Sequence, residues 1–145
     1  MDKDMKIRML QTIYAAVLAD NVLQLGREGV LERVTERKRS DQLATGSMKA
    51  ARFGIEKVED VFAGLYEIFG CSPWEVDRRE DGLTAETTSC MLCSFAKNMG
   101  AESPCRIHCL DPMEGMVKGL EPDAGFYVRE TLWDGSKCRI DVECS

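Results

Sequence analysis

Apolar residues recur at three- and four-residue spacing through the first seventy positions. Leu10, Ile13, Tyr14, Val17, Leu18 and Leu25 form one stripe, the period of an amphipathic helix. Gly26 and Gly29 suggest a break or a close helix contact. Val30, Leu31, Val34, Leu43, Met48 and Ala51 predict a second helix, polar on its outer side, with Gly46 a candidate interruption. Val58, Val61, Phe62, Leu65, Tyr66 and Phe69 make a third stripe, ended by Gly70 and Pro73. Such stripes form core far more often than they line a pocket.

After residue 70 the period shortens. Trp74–Arg79 and Leu83–Ser89 flank Glu80-Asp81-Gly82 and predict a β-hairpin. Phe126–Leu132 and Cys138–Cys144 flank Trp133–Lys137 and predict a second. In that second pair Phe126, Val128 and Glu130 alternate with Tyr127, Arg129 and Thr131. Two short helices are expected between the hairpins, about Ser94–Met99 and Pro112–Leu120. The pattern predicts an α+β fold, with N-terminal helices packed on an antiparallel sheet of about four strands. With no repeat, low-complexity tract or long linker, residues 1–145 read as a single domain: a helical part over 1–70, and strands with a cysteine cluster over 71–145.

Length and charge narrow the function classes. A chain of 145 residues buries a core without disulfides. The charged start and the interruption of the following apolar stretch by Asp20 and Asn21 argue against a signal peptide and a membrane span. A cytoplasmic location with reduced thiols is the expectation. Residues 1–70 carry eleven basic and eleven acidic side chains, whereas residues 71–145 carry eight and fourteen. The whole negative excess therefore lies in the second half, and it would repel a phosphate backbone. The basic run Arg33–Arg39 is broken by Glu36 and reads as a solvated helix face. No nucleic-acid partner is expected.

Four of the seven cysteines fall between residues 90 and 109: a C-x-x-C, Cys90 and Cys93, and a C-x-x-x-C, Cys105 and Cys109. Cys105 and Cys109 share a face if their segment is helical, and Pro104 suits its first turn. Four thiolates so placed can close a tetrahedral shell around zinc or hold an iron–sulfur cluster, and the spacing does not separate the two. His108, the sole histidine, is a candidate to replace one of the four sulfurs, or a surface residue. The competing readings are a redox-active or catalytic thiol and inert packing, the latter fitting Cys71, Cys138 and Cys144 well. No G-x-S-x-G and no Gly-rich phosphate loop is present.

Three segments carry a family resemblance: Cys93-Ser-Phe-Ala-Lys-Asn-Met-Gly with the later Cys109, Glu114–Pro122, and Arg129-Glu-Thr-Leu-Trp-Asp-Gly-Ser-Lys-Cys138-Arg-Ile-Asp-Val. Together they resemble the C-terminal half of the L-2-amino-thiazoline-4-carboxylate hydrolase family, with its Cys-Pro-Phe-like start, mid-segment Cys and final strand-turn-strand before a Cys. More distantly, the ending resembles the vinyl-reductase-type small-molecule-binding domain. The resemblance covers about fifty residues of this chain. It implies Cys93, Cys109 and Cys138 as site residues. Ser94 stands where the family pattern has Pro, and Gly135-Ser136 where it has Gly-Asp.

Three functions follow as expectations. The first is a metal- or cluster-binding domain using Cys90, Cys93, Cys105 and Cys109, with a sensor or accessory role. The second is a hydrolase of a small cyclic amide-like substrate, with Cys93 as reactive thiolate at the start of helix Ser94–Met99 and Asp111 or Asp134 handling the proton. The third is a module that binds a small molecule without catalysis. Extra apolar residues on the first helix (Met5, Met9, Tyr14, Val22, Leu23) point to a homodimer through it.

Overall fold

The computed structural model describes residues 1–144 and contains five α-helices and one four-stranded sheet. Helix α1 (Lys3–Arg27) starts at Asp2, whose carboxylate accepts the Met5 N–H at 2.9 Å. This satisfies one of the free amides of the first turn. Helix α2 (Leu31–Arg52) follows a tight Gly29 turn and runs unbroken through Gly46. Helix α3 (Glu59–Phe69) ends on Gly70 in the left-handed conformation, φ 68°. Strands β1 (Glu75–Arg79) and β2 (Gly82–Thr87) form the first hairpin. Helix α4 (Met91–Met99) begins three residues before the expected start, with Cys90 as its N-cap. A π-helical turn, Arg106–Leu110, then leads into α5 (Asp111–Leu120). Strands β3 (Gly125–Glu130) and β4 (Cys138–Glu143) close the fold.

The sheet is antiparallel throughout, in the order β1-β2-β4-β3. Ile140 of β4 lies opposite Ala85 of β2 and Val128 of β3, and Val142 lies opposite Leu83 and Phe126. In β2, residues Leu83, Ala85 and Thr87 alternate inward, as a half-buried strand requires. Both expected hairpins are present, with a register shift between Val128 and Glu130 in the second. The main core joins Leu83, Ala85, Ile140 and Val142 of the sheet to Ala50 of α2, Val61 and Phe62 of α3 and Met116 of α5.

Helix α1 departs from the expected stripe. Leu10, Ile13, Tyr14 and Val17 are exposed, whereas Ala15, Ala19 and Val22 are fully buried. Ala19 and Val22 pack with Leu92 and Ala96 of α4 in a second core cluster. Small side chains let these helices approach closely, so the buried face is the less hydrophobic one. Helix α2 behaves alike: its buried residues are Thr35, Gly46 and Ala50, while Leu43 and Met48 face solvent. Gly46 is therefore a contact with α5, not an interruption. None of the helices described is long and apolar enough to cross a membrane.

Candidate functional site

The cysteines are positioned by three unrelated segments. The Met91 N–H donates to the Cys71 carbonyl at 3.0 Å, tying the end of α3 to the start of α4. That bond sets buried Ser72 beside Cys90. At the N-cap, the Cys93 N–H donates to Cys90 Sγ at 3.4 Å. The position first ascribed to Cys93, the helix N-terminus, thus belongs to Cys90; Cys93 lies a turn inside, buried. Its Sγ is 3.6 Å from Cys105 Sγ, across the chain leading into the π-turn. All seven cysteines are free thiols.

Their environments push the thiols apart. The Cys93 side chain, the Ser72 hydroxyl and the amides at the head of α4 lower the Cys90 thiol to about 6 against the opposition of burial. The Cys93 thiol moves well upward, because it donates toward Cys105 and Cys90. Cys105 moves down through the Cys93 contact and the Ser103 hydroxyl. Burial pushes Cys109 well up, and the charges of Cys90, Cys105, Cys138 and Cys71 add to this. Cys71 and Cys138 rise to about 11 by burial. Six thiols therefore share one electrostatic neighbourhood, in which Cys90 and Cys105 are lowered and the other four are raised. Cys144 lies apart, at the end of β4 near Glu121 and Glu59.

Cys71, Cys90 and Cys109 open on a cavity of about 360 Å³, at the lower end of the size range of small-molecule sites. Its wall is aromatic and aliphatic: Phe53, Leu65, Tyr66, Phe69 and Trp74, with Tyr14 and Leu18 of α1. Residues of the first and third stripes thus line a pocket instead of filling the core. Lys38, Gln42 and Lys49 of α2 supply the polar side of that wall. Lys49 is hydrogen-bonded to Gln42 Oε1. Its ammonium pKa is lowered by burial and by the charge of Lys38.

No protein-family model, curated protein or solved structure matches this chain.

The remaining predicted residues have other surroundings. His108 lines the cavity, and its Nε2 is 2.9 Å from Asn21 Oδ1; burial and Lys38 lower it to about 4, so it is neutral. Asp111 is buried behind the cavity, with Oδ1 accepting from Arg39 at 3.0 Å and Arg106 3.8 Å from Oδ2. Asp134 sits exposed in the β3–β4 loop, where its charge reaches Cys105. Neither carboxylate lines the cavity. Among the described residues, no group of three or more His, Cys, Asp or Glu side chains is arranged to hold a metal ion.

Sequence reasoning missed Ser72, Lys38, Gln42 and Lys49. The basic run was read as a solvated face, yet Lys38 turns to the cavity and Arg39 inward to Asp111 and Glu114. The available signal was helical spacing: Lys38, Gln42 and Lys49 recur at four and seven residues, which places them on one face of α2.

Proposed function

We propose that this chain is a small-molecule-binding domain. Its ligand lies in the helix-lined cavity, with an apolar or aromatic body against Phe53, Phe69 and Trp74 and an acidic group against Lys38 and Lys49. The observation that carries this reading is the pairing of that apolar wall with two lysines, of which Lys49 has its ammonium pKa lowered by burial and then by repulsion from Lys38. A bound anion relieves that repulsion and gains a charge-assisted contact away from bulk water. A titration with anilinonaphthalene sulfonate, an apolar anion, tests it. One site is expected, weakened about tenfold or more in the Lys38→Ala/Lys49→Ala double variant, equivalent to roughly 1.4 kcal/mol. Binding unaffected by that variant, or spread over many weak sites, sinks the reading.

A second reading, hydrolysis, is favoured by one observation: the Cys90 thiol, lowered to about 6, lines the same cavity as the two lysines. A substrate such as 2-amino-thiazoline-4-carboxylate would set its carboxylate on the lysines and its ring beside Cys90. Cys90 then replaces Cys93 as the nucleophile. Ring opening that persists in Cys90→Ser removes the thiolate role, and no ring opening in wild type leaves the binder. The metal reading drawn from the cysteine spacing has one supporting contact. The 3.6 Å between Cys93 and Cys105 is close to the edge of about 3.8 Å that Zn–S bonds of about 2.3 Å impose on a tetrahedron. Zinc analysis and the visible spectrum of anaerobically purified protein decide it.

A further inference from the structure

One cavity-lining thiol, Cys90, is backed by two buried ones, Cys93 and Cys105, that do not line the cavity. Cys90 is half-buried and faces the cavity. Cys93 lies behind it, 5 % exposed, its backbone N–H donating to the Cys90 sulfur at 3.4 Å. Cys105 lies behind Cys93, 7 % exposed, with the two sulfurs 3.6 Å apart. Neither the binding nor the hydrolytic reading uses Cys93 or Cys105.

We propose that Cys90 and Cys93 form a dithiol–disulfide exchange site for small apolar organic disulfides that enter through the cavity. In the first step the Cys90 thiolate attacks one sulfur of the disulfide. The Cys90–S–S–R mixed disulfide forms, and one thiolate RS⁻ leaves. In the second step the Cys93 sulfur attacks the Cys90 sulfur, and the second RS⁻ leaves. The Cys93 proton passes to Cys105 Sγ, the sulfur 3.6 Å behind it, and from there to solvent or a departing thiolate. The balance is one organic disulfide reduced by two electrons to two thiols, and one Cys90–Cys93 disulfide formed. A small organic dithiol reverses the second half and restores the site.

The arrangement suits this chemistry for three reasons. Exchange needs a thiolate that an outside sulfur can reach; Cys90 lines the cavity at the N-cap of α4, where its sulfur accepts the Cys93 N–H at 3.4 Å. Resolution needs a second thiol that external reagents do not reach, and Cys93 is covered. Its held proton keeps it from acting until an acceptor takes that proton. The inference rests on the cavity for access only and is independent of acidic-ligand binding, so failure of the lysine-variant titration leaves it standing.

Reduced, anaerobic protein is mixed with excess dithiodipyridine, a neutral aromatic disulfide, and thiopyridone release is followed by stopped flow. Two equivalents are expected in a fast phase at neutral pH, with the new disulfide mapping to Cys90–Cys93 by peptide mass spectrometry. Cys93→Ser is expected to stop at one fast equivalent, with a thiopyridyl group on Cys90. Cys90→Ser, which keeps a good N-cap residue, is expected to lose at least about tenfold of the fast rate. Cys105→Ala is expected to slow the second release and leave the first unchanged, an effect that a merely structural role would not produce. Cys144→Ser is the unaffected control. The proposal is overturned by two fast equivalents in Cys93→Ser, by an unchanged rate in Cys90→Ser, or by a wild-type disulfide that maps elsewhere. The mapping uses only wild-type protein, so a variant that fails to fold does not shield the proposal.

Discussion

Gly46 of α2 stands against Gly115 of α5 so closely that a Cβ on Gly46 would meet the Gly115 carbonyl oxygen at 1.8 Å. The contact continues: a Cβ on Gly115 would meet the Gln42 carbonyl oxygen at 2.3 Å, and one on Gly119 the Ser47 nitrogen at 2.4 Å. The two helices therefore touch backbone to backbone, which side chains at these positions forbid. This crossing holds the Lys38–Lys49 segment over the cavity. Gly46→Ala or Gly115→Ala is expected to cost about 2–3 kcal/mol, the range of overpacking into a fixed backbone. The melting temperature should fall by roughly 6–10 °C. Ala44→Ser, on the exposed side of α2, is the neutral control. Thermal unfolding checks this, and an unchanged midpoint in both glycine variants would show that the helices separate freely.

Arg39 reaches from α2 to two buried carboxylates of α5. It lies 3.0 Å from Asp111 Oδ1 and 2.8 Å from Glu114 Oε1. Removing it leaves the two carboxylates facing each other with weaker compensation, from Arg106 and from Lys118 at 2.7 Å. Because the Arg39 side chain is 30 % exposed, the loss is screened below the range for breaking a fully buried pair. Arg39→Ala is expected to cost about 2 kcal/mol. Arg106→Ala, which loses a 2.7 Å contact to exposed Glu36 and a longer 3.8 Å approach to Asp111 Oδ2, should cost less, about 1 kcal/mol. Equal costs in denaturant unfolding would contradict the ranking.

The two hairpins and the third helix were legible because their patterns are local. Alternation in β2 and β4 and the Gly70 stop of α3 are each written within a few residues. Helix α1 was misread at its face, because Ala15 and Ala19 carry little hydrophobic signal and bury fully, whereas Leu10 and Val17 carry much and do not. Spacing predicted one site for Cys90, Cys93, Cys105 and Cys109; the contacts present are Cys93 N–H to Cys90 Sγ and Cys93 Sγ to Cys105 Sγ. It did not reveal Ser72 or the cavity, since these arise where α3, α4 and the π-turn meet at long sequence separation. Nor did it assign the N-cap, where a one-turn shift of the helix start exchanges Cys90 and Cys93.

The Cys90 thiol has a distinct pH signature. With its pKa at about 6, its alkylation by iodoacetamide should rise from pH 5 and level off above about pH 7. Cys71 and Cys138, at about 11, stay slow throughout. The linkage sign follows from the same value. Folding lowers the Cys90 pKa from its ordinary 9.0, so between pH 6 and 9 the unfolded chain binds the extra proton. Stability from this group is complete above 9 and is lost as pH falls through 6. The stability difference between wild type and Cys90→Ser should therefore grow with pH across that window. A difference independent of pH would show that Cys90 is an ordinary thiol.

His108 acts in a lower window. Burial and Lys38 lower it from 6.5 to about 4, so below pH 6.5 the unfolded chain takes up a proton that the folded chain refuses. Its contribution is complete above 6.5 and is lost as pH falls toward 4. His108→Gln should flatten this part of the stability profile, and an imidazole proton resonance that titrates normally near 6.5 would contradict the assignment.

The outer face of α1 is apolar and exposed. Met5, Met9, Leu10, Ile13 and Val17 are 53, 48, 67, 51 and 57 % exposed. At 3.6 residues per turn they lie on the side opposite Ala15, Ala19 and Val22, which pack inward. A row of five large apolar side chains on one helix is costly to leave in water. Two such helices packed side by side would cover both rows. We expect a dimer at micromolar concentration. Sedimentation equilibrium should report it, and Ile13→Glu/Val17→Glu should yield a monomer whose helical circular dichroism is unchanged, because neither side chain contributes to the buried core. The double variant separates this contact from the cavity: Tyr14 and Leu18 line the pocket, whereas Ile13 and Val17 do not. Apolar-anion binding should therefore survive in the monomer. A wild-type chain that sediments as a strict monomer refutes the dimer, and loss of ligand binding in the double variant would mean that the cavity is completed only by the partner copy.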